Sequence, residues 1–269
     1  MTETATDAVE TPRATAAVEA RGVSKRFNTG KHNEVHALED IDLTIDAGEF
    51  VTLIGPSGCG KSTLLRLVAA LTPLSGGSLA VHGKTADQAR LDQDYGMAFQ
   101  KAGLFDWRTV VKNIELPLEL MGWSKSARAE RAREMLQLVK LPEFGDHHPG
   151  ELSGGMQQRI AIARALAFDP KLLLMDEPFG ALDEMTREHM QDELLRIWQE
   201  THKTIVFVTH SVPEAVYLST RVVVMSPRPG RIADQIEVGL GARSAETRDE
   251  PAFFEYVTEV RRALRAVEA

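Results

Sequence analysis

Nine residues at 55–63, GPSGCGKST, combine what a phosphate chain needs: a pliable backbone, one fixed ammonium and paired hydroxyls. Gly55, Gly58 and Gly60 let the backbone curl so that consecutive N–H groups face one anion, with Pro56, Ser57 and Cys59 completing the turn. Lys61 supplies a point charge for β and γ phosphates, Ser62 a hydroxyl for Mg2+, and Thr63 a further phosphate contact. A second anion site follows at 152–159, LSGGMQQR. There Ser153 can cap a helix, while Gly154 and Gly155 leave the first backbone N–H groups uncovered at the positive end of the helix dipole. The third stretch, LLLMDEP at 172–178, runs a buried strand into Asp176 and Glu177. Asp176 suits a Mg2+ held partly through water, and Glu177 suits a general base polarising the attacking water. The plain alternative has both acids merely ending a strand at the surface. Only the upstream anion site has a lysine and a hydroxyl built in, which suggests a nucleotide gripped from two sides by two copies of the chain.

In this order the three motifs resemble the ATP-binding subunits of ABC transporters, over roughly residues 18–238. The glycine motif alone would mean only a P-loop nucleotide-binding protein; the LSGG element makes the resemblance specific. Met156 departs from the glutamine most common there, and LSGGM together with MSPRPGRI at 225–232 is similar to the nitrate, sulfonate, taurine and pyrimidine-precursor importers. The resemblance implies an α/β P-loop NTPase with a RecA-like core, an N-terminal antiparallel β region and an inserted helical subdomain. It also implies ATP and Mg2+ as ligands, a head-to-tail dimer, integral-membrane permease subunits and an extracytoplasmic solute-binding protein. The location it implies is peripheral, on the cytoplasmic face of a bacterial membrane.

Further roles follow from the same resemblance. Gln100, after the strand YGMAF, matches the glutamine that touches metal and water and senses the γ phosphate. Asp183 in GALD matches the acid that bridges two subunits near the phosphate loop, and His210, closing TIVFVTH, matches the histidine that orients the water. Phe27 in SKRF resembles the aromatic that stacks on adenine, with a core phenylalanine as the rival reading. Cys59 reads as a small packing residue in the loop, against a redox switch. The other histidines, His147 and His148 included, lie in polar loops and read as solvated.

Strands and helices must position these groups. FVTLI at 50–54 is a continuous apolar strand, and a helix over 61–71 follows the glycine loop. Further apolar runs at 95–99, 171–175, 204–208 and 221–225, spaced by helical segments, predict a mainly parallel sheet covered on both faces. Alternation at 18–23 and 41–46 predicts antiparallel strands before it. Residues 101–165 read as an inserted helical subdomain ending in the LSGG helix, with a 125–139 helix carrying Ala129, Ala132, Met135, Leu136 and Val139 on one face. Residues 1–17 read as a disordered tail and 239–269 as a helical extension, whose segment 251–265 aligns Phe253, Phe254, Val257, Val260 and Leu264. That face either packs on its own core or meets a second subunit. Segment 101–123 is apolar for a connector; it is either subdomain core or, around Phe105 and Trp107, a docking patch for a membrane subunit.

At 269 residues the chain can bury a full core. A net charge of −8 argues against sequence-independent nucleic-acid binding, and one cysteine excludes an internal disulfide framework. No apolar run approaches the length of a membrane span. Three rival classes share parts of the pattern. A DNA-repair clamp would place long coiled coils between the motifs, a small-molecule kinase would not need the LSGG helix, and a translation factor would carry two tandem copies.

Overall fold

Whether a strand is buried on one face or two separates the two sheets of this chain. The computed structural model describes residues 16–180 and 182–268. β1 (Ala16–Phe27) and β2 (Val35–Asp46) alternate buried and open residues, and they pair antiparallel with Val18 opposite Ile45 and Val23 opposite Ile41. β4 (Gly76–Val81) and β5 (Lys84–Thr85) complete a four-stranded sheet in the order β2-β1-β4-β5. β3 (Phe50–Ile54), β6 (Tyr95–Ala98), β7 (Leu172–Asp176), β8 (Thr204–Val208) and β9 (Arg221–Met225) run parallel, with β10 (Ile232–Glu237) antiparallel on one edge. Their order is β10-β9-β3-β8-β7-β6. Every residue of β3, β7 and β8 is buried, because both faces of this sheet are covered.

The two faces feed two apolar clusters. Phe50, Leu173, Met175 and Phe207 point into one, shared with α3 (Val110–Leu120), α4 (Lys125–Leu138), α5 (Gly154–Leu166), α6 (Glu184–Thr201), α7 (Val212–Leu218) and α8 (Pro251–Glu268). Val51, Leu53, Leu172, Leu174 and Val206 point into the other, shared with α1 (Lys61–Val68), α2 (Ala86–Leu91) and the antiparallel sheet. Alternate residues of one strand therefore belong to different cores. Among the described residues no helix is long and apolar enough to cross a membrane.

Several expectations are corrected. The expected tail lies outside the described residues as far as residue 15, but Ala16 and Ala17 open β1, where Ala17 is fully buried. The helix after the glycine loop stops at Val68 rather than Leu71, because Ala70 turns into the left-handed region at φ 47°. In α8, Phe253, Val257 and Val260 are buried against the chain's own core, whereas Phe254 is 55% exposed. Neighbouring helical residues point about 100° apart, and in α8 that turn carries Phe254 past the edge of the buried stripe. His147 is half-buried against the Phe144 ring, 5.1 Å between centroids, rather than solvated.

Candidate active site

β3, β8, β7 and β6 are parallel neighbours, so the loops at their carboxyl ends open on one edge of the sheet. The loop after β3 carries residues 55–60. Gly60 adopts φ 112°, and a Cβ there would stand 2.5 Å from Leu38 Cδ2, so only glycine fits between β2 and α1. Gly60 caps α1 without a side-chain bond, which leaves the first helical amides free for an anion. Lys61 Nζ donates to the carbonyls of Gly55 at 2.7 Å and Pro56 at 3.1 Å. The lysine is buried, and the carbonyls that hold it are neutral, so a phosphate oxygen would be a stronger partner than either.

A cleft of about 430 Å³ opens over this loop, with Phe27, Ser57, Lys61, Thr63, Glu177 and Arg228 among its walls. Gly58, Gly60 and Ser62 also line it. Phe27 is 37% exposed and carries Lys25 Nζ 4.8 Å from its ring centroid, so it is not the core residue of the rival reading. Cys59 is buried beneath the loop as a packing residue. A Cβ on Gly230 would come 2.0 Å from the Cys59 carbonyl, so the turn after β9 lies directly against the phosphate loop.

The acids meet the loop from β7. Ser62 Oγ donates to Asp176 Oδ1 at 2.6 Å, and Asp176 is buried. Glu177 sits at φ 46°, its amide donating to Val208 O at 3.0 Å, and its Oε2 lies 3.4 Å from His210 Nδ1. Gln100 reaches the same place: a Cβ on Gly180 would lie 3.8 Å from Gln100 Nε2 and 3.9 Å from Glu177 Oε2. The Ser62 hydroxyl and the Asp176 carboxylate are the oxygen donors that a hard cation such as Mg2+ takes.

Ser153, Gly154, Gly155 and Asp183 do not line the cleft. Ser153 Oγ accepts from Met156 N at 3.3 Å and so caps α5. Asp183 Oδ1 accepts from Thr186 N at 3.0 Å and caps α6, a bond that holds its carboxyl below the usual range. A Cβ on Gly155 would stand 2.8 Å from Thr186 Cγ2, so the two helix starts lie side by side. One chain thus carries two separate groupings of the expected site residues.

Some contributors were not legible as such in the sequence. Arg228 of the MSPRPGRI stretch donates to the Gly58 carbonyl through Nη2 at 3.1 Å and Nε at 3.3 Å. Its only signal was a cation in a motif read as a branch mark. In α5, Gln158 Nε2 donates to Phe99 O at 3.1 Å, and Arg164 donates to Gly103 O at 2.8 Å and Ala102 O at 2.9 Å, so the LSGG helix grips both sides of Gln100. In the 101–123 segment Val110, Ile114 and Leu118 are fully buried. Trp107 is 75% exposed with its ring 4.8 Å from that of Phe105. Phe105 also lines a groove of about 320 Å³ with Leu116, Leu120, Arg164 and Phe168.

A mainly parallel sheet with a lysine-bearing glycine loop after β3 and an Asp-Glu pair at the end of β7 defines an α/β P-loop NTPase. The profile of the family described as "ABC transporter" matches residues 38–180, and the chain belongs to that family as an ATP-binding, ATP-hydrolysing subunit. It is 47% identical over 240 residues to the taurine import ATP-binding protein TauB of Rhizobium johnstonii, covering 87% of this chain and 91% of that one. To the nitrate import ATP-binding protein NrtD of Synechocystis it is 45% identical over 250 residues, covering 90% and 93%. Among solved structures, the dimeric post-hydrolysis state of the ATP-binding cassette MJ0796 bound to ADP and Pi superposes with a TM-score of 0.73 at 34% identity, over 82% of this chain and 98% of that chain.

Proposed function

We propose that two copies of this chain, arranged head to tail, hydrolyse ATP to drive a bacterial importer for nitrate, a sulfonate, taurine or a related small solute. The observation that carries this reading is the division of the site residues between the cleft and the paired starts of α5 and α6. A phosphate chain seated on the loop would present its γ end to the edge where Glu177 and His210 meet. The amides at the start of α5, capped by Ser153, would then close on it from the second copy.

In this reading Phe27 offers its open face to adenine, and the amides of 58–63 with Lys61 hold the phosphates. Ser62, Asp176 and Gln100 would hold Mg2+, which supplies charge neutralisation to the phosphate oxygens when bound. Glu177 takes a proton from water as the water oxygen bonds the γ phosphorus. The bond from that phosphorus to its bridging oxygen breaks, leaving ADP and phosphate. His210, beside Glu177, orients the water. Asp183 stands at the dimer face with Ser153, Gly154 and Gly155.

The rest of the reading concerns partners. Residues 18–238 form the ATP-binding unit, about 101–165 its helical subdomain, and 239–269 an extension. The groove beside Phe105 and the exposed Trp107 receive a helix of an integral-membrane permease, which holds the chain to the cytoplasmic face of the membrane. A solute-binding protein joins through the permease, and nucleic acid has no part, in keeping with the charge of −8.

Complementation tests the arrangement. Ser153→Arg should bind ATP normally as a monomer yet hydrolyse none, and Lys61→Ala should fail to bind. Mixing the two restores one intact composite site, so hydrolysis should reappear. Loss of ATP affinity in monomeric Ser153→Arg would contradict the head-to-tail pairing.

A further inference from the structure

The His210 side chain is 69% exposed and has Glu177 Oε2 3.4 Å from its Nδ1, so packing does little to aim it and its placement beside Glu177 depends on the backbone that carries it. That backbone is pinned on both sides by one hydroxyl. Thr209 Oγ1 donates to Glu214 Oε2 of α7 and accepts the Ser211 amide at 3.0 Å. Thr209 and Glu214 are both buried. The other Glu214 oxygen accepts from Gln191 Nε2 of α6 at 3.1 Å, and Gln191 is buried too.

The chain of bonds does not stop there. Gln191 Oε1 accepts from Arg248 Nη2 at 3.1 Å, and Arg248 lies in a short 3-10 turn, Ala245–Asp249, ahead of α8. The same nitrogen donates to Asp192 Oδ1 at 2.9 Å, and the guanidinium carbon sits 3.5 Å from the Tyr217 ring centroid. Arg248 is thus held in a planar seat by α6 and α7 together. Phe253, Val257 and Val260 already fasten α8 by apolar burial, so the extension does not need a buried polar relay to stay attached. Buried polar groups cost free energy unless each is paired, and this relay is paired throughout and ends at the residue before His210.

We propose that Glu214 and Gln191 are positioning residues for His210, and that Arg248 of the C-terminal extension anchors them, which makes the extension part of the hydrolytic device. The proposal rests on the role assigned to His210 above. Removing the anchor frees Gln191 to turn, Glu214 loses one of its two partners, and the Thr209 hydroxyl no longer holds a fixed direction for the loop. Phosphate binding is untouched, because none of these residues lines the cleft.

The test is a double-mutant cycle in the purified full chain, reading single-turnover ATP cleavage, affinity for a fluorescent ATP analogue and melting temperature. Arg248→Ala and, separately, the volume-conserving Gln191→Leu should each slow cleavage about tenfold or more, with nucleotide affinity changed less than about twofold. In a His210→Ala background neither should slow cleavage further, since the residue they position is gone. Gln191→Leu keeps the test open if Arg248→Ala proves too unstable to purify. Equal slowing with and without His210 would mark the relay as merely structural and overturn the proposal. If His210→Ala is slow while both relay variants cleave at the parent rate, the proposal alone fails. If His210→Ala itself cleaves at the parent rate, the assigned role of His210 fails and the proposal with it.

Discussion

Ser62 Oγ donates to Asp176 Oδ1 across 2.6 Å, joining the phosphate loop to the end of β7. The two atoms come from positions far apart in the chain, and their meeting fixes the place where a hydroxyl and a carboxylate can share one cation. Asp176→Asn keeps the shape and a hydrogen-bonding oxygen but removes the charge. The Mg2+ concentration for half-maximal phosphate release should rise about tenfold or more. An unchanged Mg2+ titration would take Asp176 out of the metal site.

Glu177 is held in the left-handed region at φ 46°, its backbone N–H donating to Val208 O, so its side chain is aimed by backbone that a substitution preserves. Glu177→Gln should keep ATP affinity and cut turnover by at least roughly a hundredfold, since an amide cannot take the proton. ATP left uncleaved should hold two copies together. Size-exclusion chromatography should show a dimer with ATP and Mg2+ and a monomer without; a profile indifferent to nucleotide counts against the closed pair.

Trp107 is open to solvent and Phe105 half-buried beside it, so truncating both should leave folding and basal hydrolysis near the parent values. What the Trp107→Ala, Phe105→Ala double variant should lose is co-purification with the permease and solute uptake. Unfolding of the variant would assign both rings to the core instead.

Arg228 donates twice to one carbonyl of the phosphate loop from an exposed position. Charge-assisted bonds of this kind contribute about 1.5–3 kcal/mol when buried and less in water, so roughly 1 kcal/mol is at stake here. Arg228→Ala should therefore raise the KM for ATP about fivefold and leave kcat alone. A fall in kcat at constant KM would move Arg228 from holding the loop to acting in the reaction.

Burial is the largest influence on Glu214 and pushes its carboxyl above the ordinary value of 4.5, against the opposing pull of Thr209, Gln191, Arg187 and His210. Between the unfolded and folded values the folded chain therefore keeps a proton that the unfolded chain has released. The associated stability is complete below pH 4.5 and is lost as pH rises through the folded-state value. The melting-temperature difference between parent and Glu214→Gln, which cannot titrate, should shift against the parent as pH is raised from about 4 to about 8. A difference that stays flat over that range would show that Glu214 titrates as it does in water.

How much of this was written in local sequence depends on the range of the contact. FVTLI at 50–54 is β3 to the residue, since a strand covered on both faces is apolar apart from groups that find a buried partner, as Thr52 does in the Ser219 hydroxyl. Asp176 and Glu177 stood out because they close a buried strand beside the phosphate loop, whereas Gln100 and His210 were assigned through the resemblance, since a glutamine or histidine after a strand is by itself ordinary. Arg228 was not legible, since its partner Gly58 lies 170 positions away and nothing near either residue announces the other. Gln191 and Glu214 carry no local signal in the sequence; only the packing of α6 on α7 brings the two side chains together in the interior. Phe254 misled because apolar spacing in a helix ranks candidates for the buried face without excluding a neighbour.

The turn after β9 has a practical bearing as well. With Gly230 pressed against its carbonyl and Met225 packed nearby, the one sulfhydryl in this protein, Cys59, is sealed from solvent at 1% exposure. A thiol introduced anywhere on the surface would be the one that maleimide reagents reach. Fluorophores or spin labels for following closure of the pair can thus be attached to the natural sequence, without first making a cysteine-free background.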